Sequence, residues 1–128
     1  MNLLVDTHVL LWYVENDRRL SKTAQELIRE PDNPLFFSVA SIWEIVIKKN
    51  RGKLDADLDP VALRRNLLDH DWRELAVTGE HALAVGALPP IHKDPFDRIL
   101  LAQAQVEALT LLTSDKLVAR YPGKVMRV

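Results

Sequence analysis

The sequence contains no cysteine, and this absence excludes several kinds of site at once. There can be no disulfide framework, thiol nucleophile, zinc-finger thiolate or iron–sulfur cluster. Only four glycines are present, and neither a GxGxxG nor a GxxxxGK[ST] segment occurs, which argues against dinucleotide-binding and P-loop folds. Any site in this chain must therefore be built from oxygen and nitrogen side chains.

The chain also lacks an excess of charge of one sign and a long apolar run. Its 17 Lys and Arg against 18 Asp and Glu give a formal net charge of -1, which excludes nucleic-acid binding by bulk charge. The apolar run at residues 9–14 is far short of the roughly 18 residues that a membrane span needs. Because Met1-Asn2-Leu3 has no basic n-region of a signal peptide, we expect a cytoplasmic protein with no membrane partner.

What is present is the composition of one globular domain. The 128 residues are 48% hydrophobic and 27% charged, and a chain of this length can bury enough surface to fold without a disulfide or a metal. No repeat or Gly/Ser linker divides the chain, and its seven prolines are scattered. The sequence predicts a single domain over residues 1–128, in which a metal ion would serve function rather than stability.

Short apolar runs alternate with helix-type patterns along the chain. Strands are predicted at residues 3–5, 35–38, 74–77, 109–113 and, at the edge, 124–128. Helices are predicted at about 10–14, 22–29, 42–49, 60–68, 78–88 and 95–106, with Ser114 capping a last short one. This alternation predicts an α/β class with three layers, in which helices flank a mostly parallel, Rossmann-like sheet of four to five strands.

Acidic residues stand at the junctions between these strands and helices, namely Asp6, Glu44, Asp97 and Asp115. Ligands of open parallel sheets bind beyond the carboxyl ends of the strands, so neighbouring strands would gather these carboxylates. Crowded carboxylates either take up protons or bind a cation. An all-oxygen site suits Mg²⁺ or Mn²⁺, and such ions activate a water for attack on phosphorus. The pattern predicts hydrolysis of phosphodiester bonds.

The spacing of the acids alone also allows a purely structural interpretation of each of them. In that interpretation Asp97 is the capping-box partner of Asp94, and Glu44 is the partner of Ser41. The other two acids are then turn or N-cap residues that follow strands.

Four motifs extend over essentially the whole chain: LLVDTH at residues 3–8, SVASIWEI at 38–45, HKDPFDRILLA at 92–102 and LTSD at 112–115. In this order they resemble the motifs of PIN domains, specifically of VapC-type toxins from prokaryotic toxin–antitoxin pairs. The resemblance implies a PIN-like fold and a Mg²⁺- or Mn²⁺-dependent endoribonuclease that cleaves RNA with a metal-activated water.

The resemblance also assigns residues. The four junction acids match the catalytic and metal-holding acids of the family, and the Thr7 and Ser114 hydroxyls would orient carboxylates or water. Asp94 either reaches the metal or caps its helix, and the strong Asp-Pro signal favours the cap. His8 stands where the family commonly has asparagine. We expect His8 and His92 to be satisfied, non-catalytic side chains.

An enzyme that cuts RNA must hold phosphate. The basic candidates are Lys48, Lys49, Arg51 and Lys53 after Glu44, and Arg98 and Lys116 beside two of the junction acids. The alternative is a solvated helix end whose cations interact with the helix dipole. Trp12 and Trp43 sit among Leu, Ile and Val, so we expect them in the core rather than stacked on bases.

The implied partners are RNA, a cognate antitoxin protein and a second copy of the chain in a homodimer. The helix at residues 10–14 and the helix after Ser21 offer surfaces for them. The competing hypothesis is a catalytically silent PIN-like module that binds RNA or a protein. The presence of all four acids favours the enzyme.

Overall fold

Five short strands lie side by side in one parallel sheet. The computed structural model describes residues 1–128, and its strands are β1 (Leu3–Val5), β2 (Leu35–Ser38), β3 (Arg73–Leu75), β4 (Thr110–Thr113) and β5 (Val125–Arg127). The sheet order is β3-β2-β1-β4-β5, and every neighbouring pair is parallel. The prediction of an α/β domain with a mostly parallel sheet is confirmed.

The connections between strands are helical. The helices are α1 (Thr7–Val14), α2 (Lys22–Arg29), α3 (Val39–Asn50), α4 (Pro60–Asp69), α5 (Gly79–Ala84) and α6 (Pro95–Val106), with 3₁₀ turns at Val85–Ala87 and Val118–Arg120. A side-chain oxygen of the preceding residue caps the start of each α-helix. Gly52, with φ of 69°, follows the end of α3 as predicted. None of the helices has the length and hydropathy needed to cross a bilayer.

Alternating side chains of the strands build a core on each face of the sheet. On one face Val5 and Leu112 pack with residues of α1 to α4, and on the other Leu4 and Leu111 pack with α6. Because the strand period is two, adjacent residues of one strand serve opposite cores. The result is the expected three-layer domain.

The third strand and the last turn are among the details that differ from the sequence-based predictions. β3 begins at Arg73 and ends at Leu75, so it lies slightly earlier than the predicted 74–77. Ser114 does not cap the last turn, because the Asp115 carboxylate accepts from Leu117 and Val118 N–H, at 2.7 and 3.2 Å. Only a 3₁₀ turn follows.

Trp43 was wrongly predicted to be buried. Its side chain is 63% exposed, because the face of α3 that carries Ser41, Glu44 and Ile45 turns inward. The indole rests edge-on against Phe96, with ring centroids 5.3 Å apart. Trp12 is partly buried and packs against the core, as expected.

The strand order creates a topological switch point between β1 and β4. From β1 the chain adds β2 and β3 on one side, and then crosses over to add β4 and β5 on the other. Crevices form at such points beyond the carboxyl ends of the strands. Asp6 directly follows β1 and Asp115 follows β4 by two positions, so both lie beside the switch point.

Candidate active site

Asp6 is one of two acids of the site that are almost fully buried. Its side chain is 3% exposed, and it caps α1 by accepting from Val9 N–H at 2.9 Å. Its second oxygen accepts from the Thr113 hydroxyl at 2.5 Å. Burial raises the pKa of Asp6 from 3.8 to about 6, although the two hydrogen bonds lower it. The nearby charges of Glu44 and Asp115 add to the rise. Capping and membership of the acidic cluster are therefore not exclusive.

Glu44 lies in the second turn of α3, with a side chain only 2% exposed. Its Oε2 accepts from Lys48 Nζ at 2.6 Å, one helical turn along. Its Oε1 is buried and has no hydrogen-bond partner. A buried carboxylate oxygen without a partner is costly. The alternative capping role is excluded, because Ser38 rather than Ser41 caps α3.

Asp97 stands in the first turn of α6 and faces the same cluster. Its Oδ2 is 2.8 Å from His92 Nε2. Burial raises the pKa of Asp97 from 3.8 to about 6, and the charges of Asp94, Asp6 and Glu44 contribute in the same direction. The charges that act on Asp97 thus come from the acid that precedes α1, from α3 and from the cap of α6. Asp94 accepts from Phe96 and Asp97 N–H, at 2.8 and 3.0 Å, which is the favoured cap role.

The structure thus brings the predicted acids Asp6, Glu44, Asp97 and Asp115 into one electrostatic neighbourhood centred on Asp6. The tightest group of possible ligand atoms is a different one, however. His92, Asp94 and Asp97 each offer an atom, and these lie within 4.8 Å of one another. The predicted acids are more widely spaced, which suits an ion that retains several of its waters.

The donor set fits a hard divalent cation. Most of the available atoms are carboxylate oxygens, two of the carboxyls have pKa values raised to about 6, and Glu44 Oε1 lacks any partner. A cation would relieve both the repulsion and the missing partner. Lys48 is the one cationic side chain bonded to a junction acid.

The hydroxyl that orients a junction acid is not one of the two predicted, whose alternative role of orienting water stays a prediction. Thr7 donates to Ser41 Oγ at 2.9 Å and not to a carboxylate, and the Ser114 hydroxyl bonds none of the acids. Thr113 takes that role: it donates to Asp6 and accepts from Asp115 N–H at 3.1 Å. The LTSD motif contained this residue, but the sequence does not reveal which hydroxyl faces β1.

Arg98 was wrongly predicted to hold phosphate. Its guanidinium donates to the carbonyls of Val85, Leu88, Pro89 and His92 and to the Tyr121 hydroxyl, at 3.1 to 3.5 Å. All these groups belong to the loop before α6 or to the segment after β4. The guanidinium is therefore a structural clamp, and its position beside Asp97 in the sequence misled the prediction.

Arg98→Lys is expected to destabilise the fold by about 2–3 kcal/mol, since one ammonium cannot reach the carbonyls that a planar fork spans. Urea unfolding in EDTA measures this free energy. Arg65→Lys is the matched control, because Arg65 is exposed on α4. Equal stability of the two variants would contradict the clamp.

The other predicted basic residues remain available. Lys49 is half-buried, and Arg51, Lys53 and Lys116 are exposed. They lie at the end of α3, just beyond it, and beside Asp115. Nothing in their contacts commits them to the interior, so their RNA-binding role stays a prediction.

The concave surfaces outside the acidic cluster include a mixed cleft and an apolar groove. A cleft of about 250 Å³ runs between α1, α2 and α4, lined in part by Tyr13, Leu20 and Trp72. A more apolar groove of about 620 Å³ is lined by Val39, Trp43, Phe96 and their neighbours. The first involves the two helices that the sequence predicted as partner surfaces. The second is lined by Trp43 and Phe96, which directly precede Glu44 and Asp97 in the sequence.

Comparison with known proteins identifies the class of this domain. The PIN domain family profile matches residues 3–124. The chain therefore belongs to the PIN-domain family, as the motifs predicted.

Individual relatives agree with this assignment. Ribonuclease VapC22 of Mycobacterium tuberculosis (strain ATCC 25618 / H37Rv) is 27% identical over 115 residues, covering 89% of this chain and 87% of the relative. A toxin–antitoxin complex from Klebsiella pneumoniae matches with a TM-score of 0.64 and 26% identity, over 97% of this chain and 95% of that one. VapBC2 from Rickettsia felis, bound to a DNA fragment from its promoter, matches in fold with a TM-score of 0.74 and 14% identity, over 99% and 98%.

Proposed function

We propose that this protein is a metal-dependent endoribonuclease and the toxin of a toxin–antitoxin pair. The observation that carries the proposal is the buried Asp6 at the sheet switch point, surrounded by the charges of Glu44, Asp97 and Asp115. The name of the relative VapC22 as a ribonuclease supports RNA as the substrate. Since its substrate is intracellular RNA, we also propose the cytoplasm as its location.

The chain's own residues supply the binding and the charge. Asp6, held by Val9 N–H and the Thr113 hydroxyl, presents a rigid carboxylate at the end of β1. Glu44 and Asp97 approach from α3 and α6. When bound among these carboxylates, Mg²⁺ or Mn²⁺ supplies activation of an attacking water and neutralises the charge that develops on the phosphate. A scissile phosphate repels bare carboxylates, so these residues cannot act on RNA without that cation.

The strand must then be held beside the acids. We propose that Lys49, Arg51 and Lys116 contact the RNA backbone. Lys48 donates to Glu44, and we propose that it also contacts the substrate. Backbone contacts are independent of base identity and position the strand, whereas the choice of cut site depends on the shape of the surrounding loops.

The double variant Lys49→Gln/Arg51→Gln is expected to lower the salt dependence of RNA binding. For single strands each lost phosphate contact reduces the slope of log K against log salt by about 0.7, so the expected total is about 1.4. Binding is measured by fluorescence anisotropy in EDTA, where no cleavage occurs. Lys22→Gln on α2 is the control, and an unchanged slope in the double variant would remove these residues from the interface.

An antitoxin is the proposed protein partner. The solved relatives from Klebsiella pneumoniae and Rickettsia felis are toxin–antitoxin assemblies, and the cleft between α1, α2 and α4 is the surface that we propose for it. The homodimer stays a prediction.

Cleavage of end-labelled RNA with Mn²⁺, Mg²⁺ or EDTA tests the enzymatic proposal. We expect discrete cuts that need the metal and products that carry a 5′-phosphate. A parent protein that binds RNA but cuts no RNA class with either metal would favour the silent binding module instead.

A further inference from the structure

We propose that His92 is a positioning residue, which holds the Asp97 carboxylate in the orientation that a cation requires. The inference rests on the proposed function, since it concerns the same acidic site. It assigns a role to the first residue of the HKDPFDR segment, which the sequence left as a non-catalytic histidine.

The contact between the two side chains is direct and sheltered. His92 Nε2 lies 2.8 Å from Asp97 Oδ2, and the two side chains are 18% and 13% exposed. Because an ionised carboxylate only accepts, the ring nitrogen is the donor. The other oxygen of Asp97, Oδ1, accepts no hydrogen bond within the protein and stays free for an ion. An imidazole that fixes one oxygen of a carboxylate ligand thereby orients the other.

The backbone of His92 is itself locked. Its N–H donates to the Tyr121 hydroxyl at 2.7 Å, and its carbonyl accepts from that hydroxyl at 3.2 Å and from Arg98 at 3.3 Å. Tyr121 is 4% exposed. Arg98 directly follows Asp97 in α6. The same helical turn therefore carries the acid and the guanidinium that bonds the His92 carbonyl.

This arrangement opposes a specific force. The charges of Asp94, Asp6 and Glu44 all act on Asp97, and repulsion would turn a free carboxylate away from the cluster. The hydrogen bond from His92 keeps the Asp97 carboxylate facing the acidic cluster. Loss of the donor should therefore weaken cation binding while leaving the fold intact, because the His92 imidazole bonds only Asp97.

The test is Mn²⁺ binding, measured by titration calorimetry on the folded protein without RNA. His92→Phe keeps the bulk and removes the donor, and we expect the Kd for Mn²⁺ to rise about tenfold or more. His92→Gln restores an N–H donor and should recover most of the affinity. His70→Phe, at the end of α4, is the control and should match the parent.

Each outcome decides a different point. Equal Mn²⁺ affinity in the parent and His92→Phe would overturn the positioning role and leave the proposed function standing. A parent that binds no Mn²⁺ would instead defeat the proposed metal site itself. If His92→Gln binds as weakly as His92→Phe while both melt normally in EDTA, His92 acts through its lone pair, and the positioning role is wrong.

A second variant keeps the proposal testable if His92→Phe fails to fold. Tyr121→Phe removes the hydroxyl that bonds the His92 backbone and Arg98, so the imidazole stays but loses its fixed position. We expect a weaker Mn²⁺ affinity, with a smaller change than for His92→Phe. Parent-like affinity in Tyr121→Phe would contradict the anchoring role.

Discussion

Asp6→Asn is expected to abolish RNA cleavage and, without metal, to make the protein more stable. In the folded protein the pKa of Asp6 is about 6, against 3.8 for an unperturbed carboxyl. Below pH 4 both folded and unfolded chains hold the proton. Between pH 4 and 6 the folded chain retains a proton that the unfolded chain has lost, so the free energy of unfolding falls as pH rises. Above pH 6 Asp6 is ionised in both states, and the full cost of burying its charge lowers the free energy of unfolding.

An amide in place of this carboxylate removes that penalty. The expected gain in the free energy of unfolding is about 2–3 kcal/mol at pH 7.5, and it should vanish near pH 4. Cleavage should fall by a hundredfold or more, because even residues that only support a metal ligand change activity by about 10–100-fold. Urea unfolding in EDTA and cleavage of end-labelled RNA measure the two effects.

The matched control for this variant is Asp57→Asn, which removes the same charge at an exposed position before α4. It should change neither stability nor cleavage. An Asp6→Asn protein that is less stable than the parent at pH 7.5 would show that Asp6 serves the fold rather than the reaction.

Mn²⁺ is expected to stabilise the parent strongly at pH 7.5 and hardly at all at pH 5. A ligand that binds only the folded state adds about 2.7 kcal/mol at one hundred times its Kd. Asp6 and Asp97 both have pKa values raised to about 6, so at pH 5 protons occupy both carboxyls and compete with the cation. Thermal unfolding at the two pH values, with and without Mn²⁺, measures the difference.

Asp6→Asn provides the control for the metal effect, because it should show little stabilisation by Mn²⁺ at either pH. An equal shift of the melting temperature at pH 5 and pH 7.5 in the parent would place the binding at some other set of ligands.

Much of the fold could be predicted because its signals are local. Capping residues such as Ser21, Asp59 and Asp94 mark helix starts within one residue. The apolar runs of β1 and β2 are bounded by polar residues or proline. β3 was misplaced because Leu75 to Val77 is an apolar run of which only Leu75 pairs with β2. Pairing is a tertiary event that strand propensity does not determine.

The acids could be found for the same reason, since each lies just after a recognisable strand or in the first two turns of a recognisable helix. The contacts that support these acids could not be predicted from the sequence. Thr113 bonds Asp6 across 107 positions of sequence, and Arg98 clamps carbonyls that only the folded loop brings near. From the sequence alone, a basic residue beside a candidate catalytic acid is a candidate phosphate ligand. Only the structure shows the direction of its side chain.

The most direct test of the central claim is to locate Mn²⁺ by anomalous diffraction in crystals grown at pH 7.5. We predict an ion in contact with Asp6 and Asp97, with Glu44 and Asp115 near enough to contact it directly or through water. An ion bound only by His92, Asp94 and Asp97, or no ion at millimolar Mn²⁺, would contradict a catalytic metal site centred on Asp6.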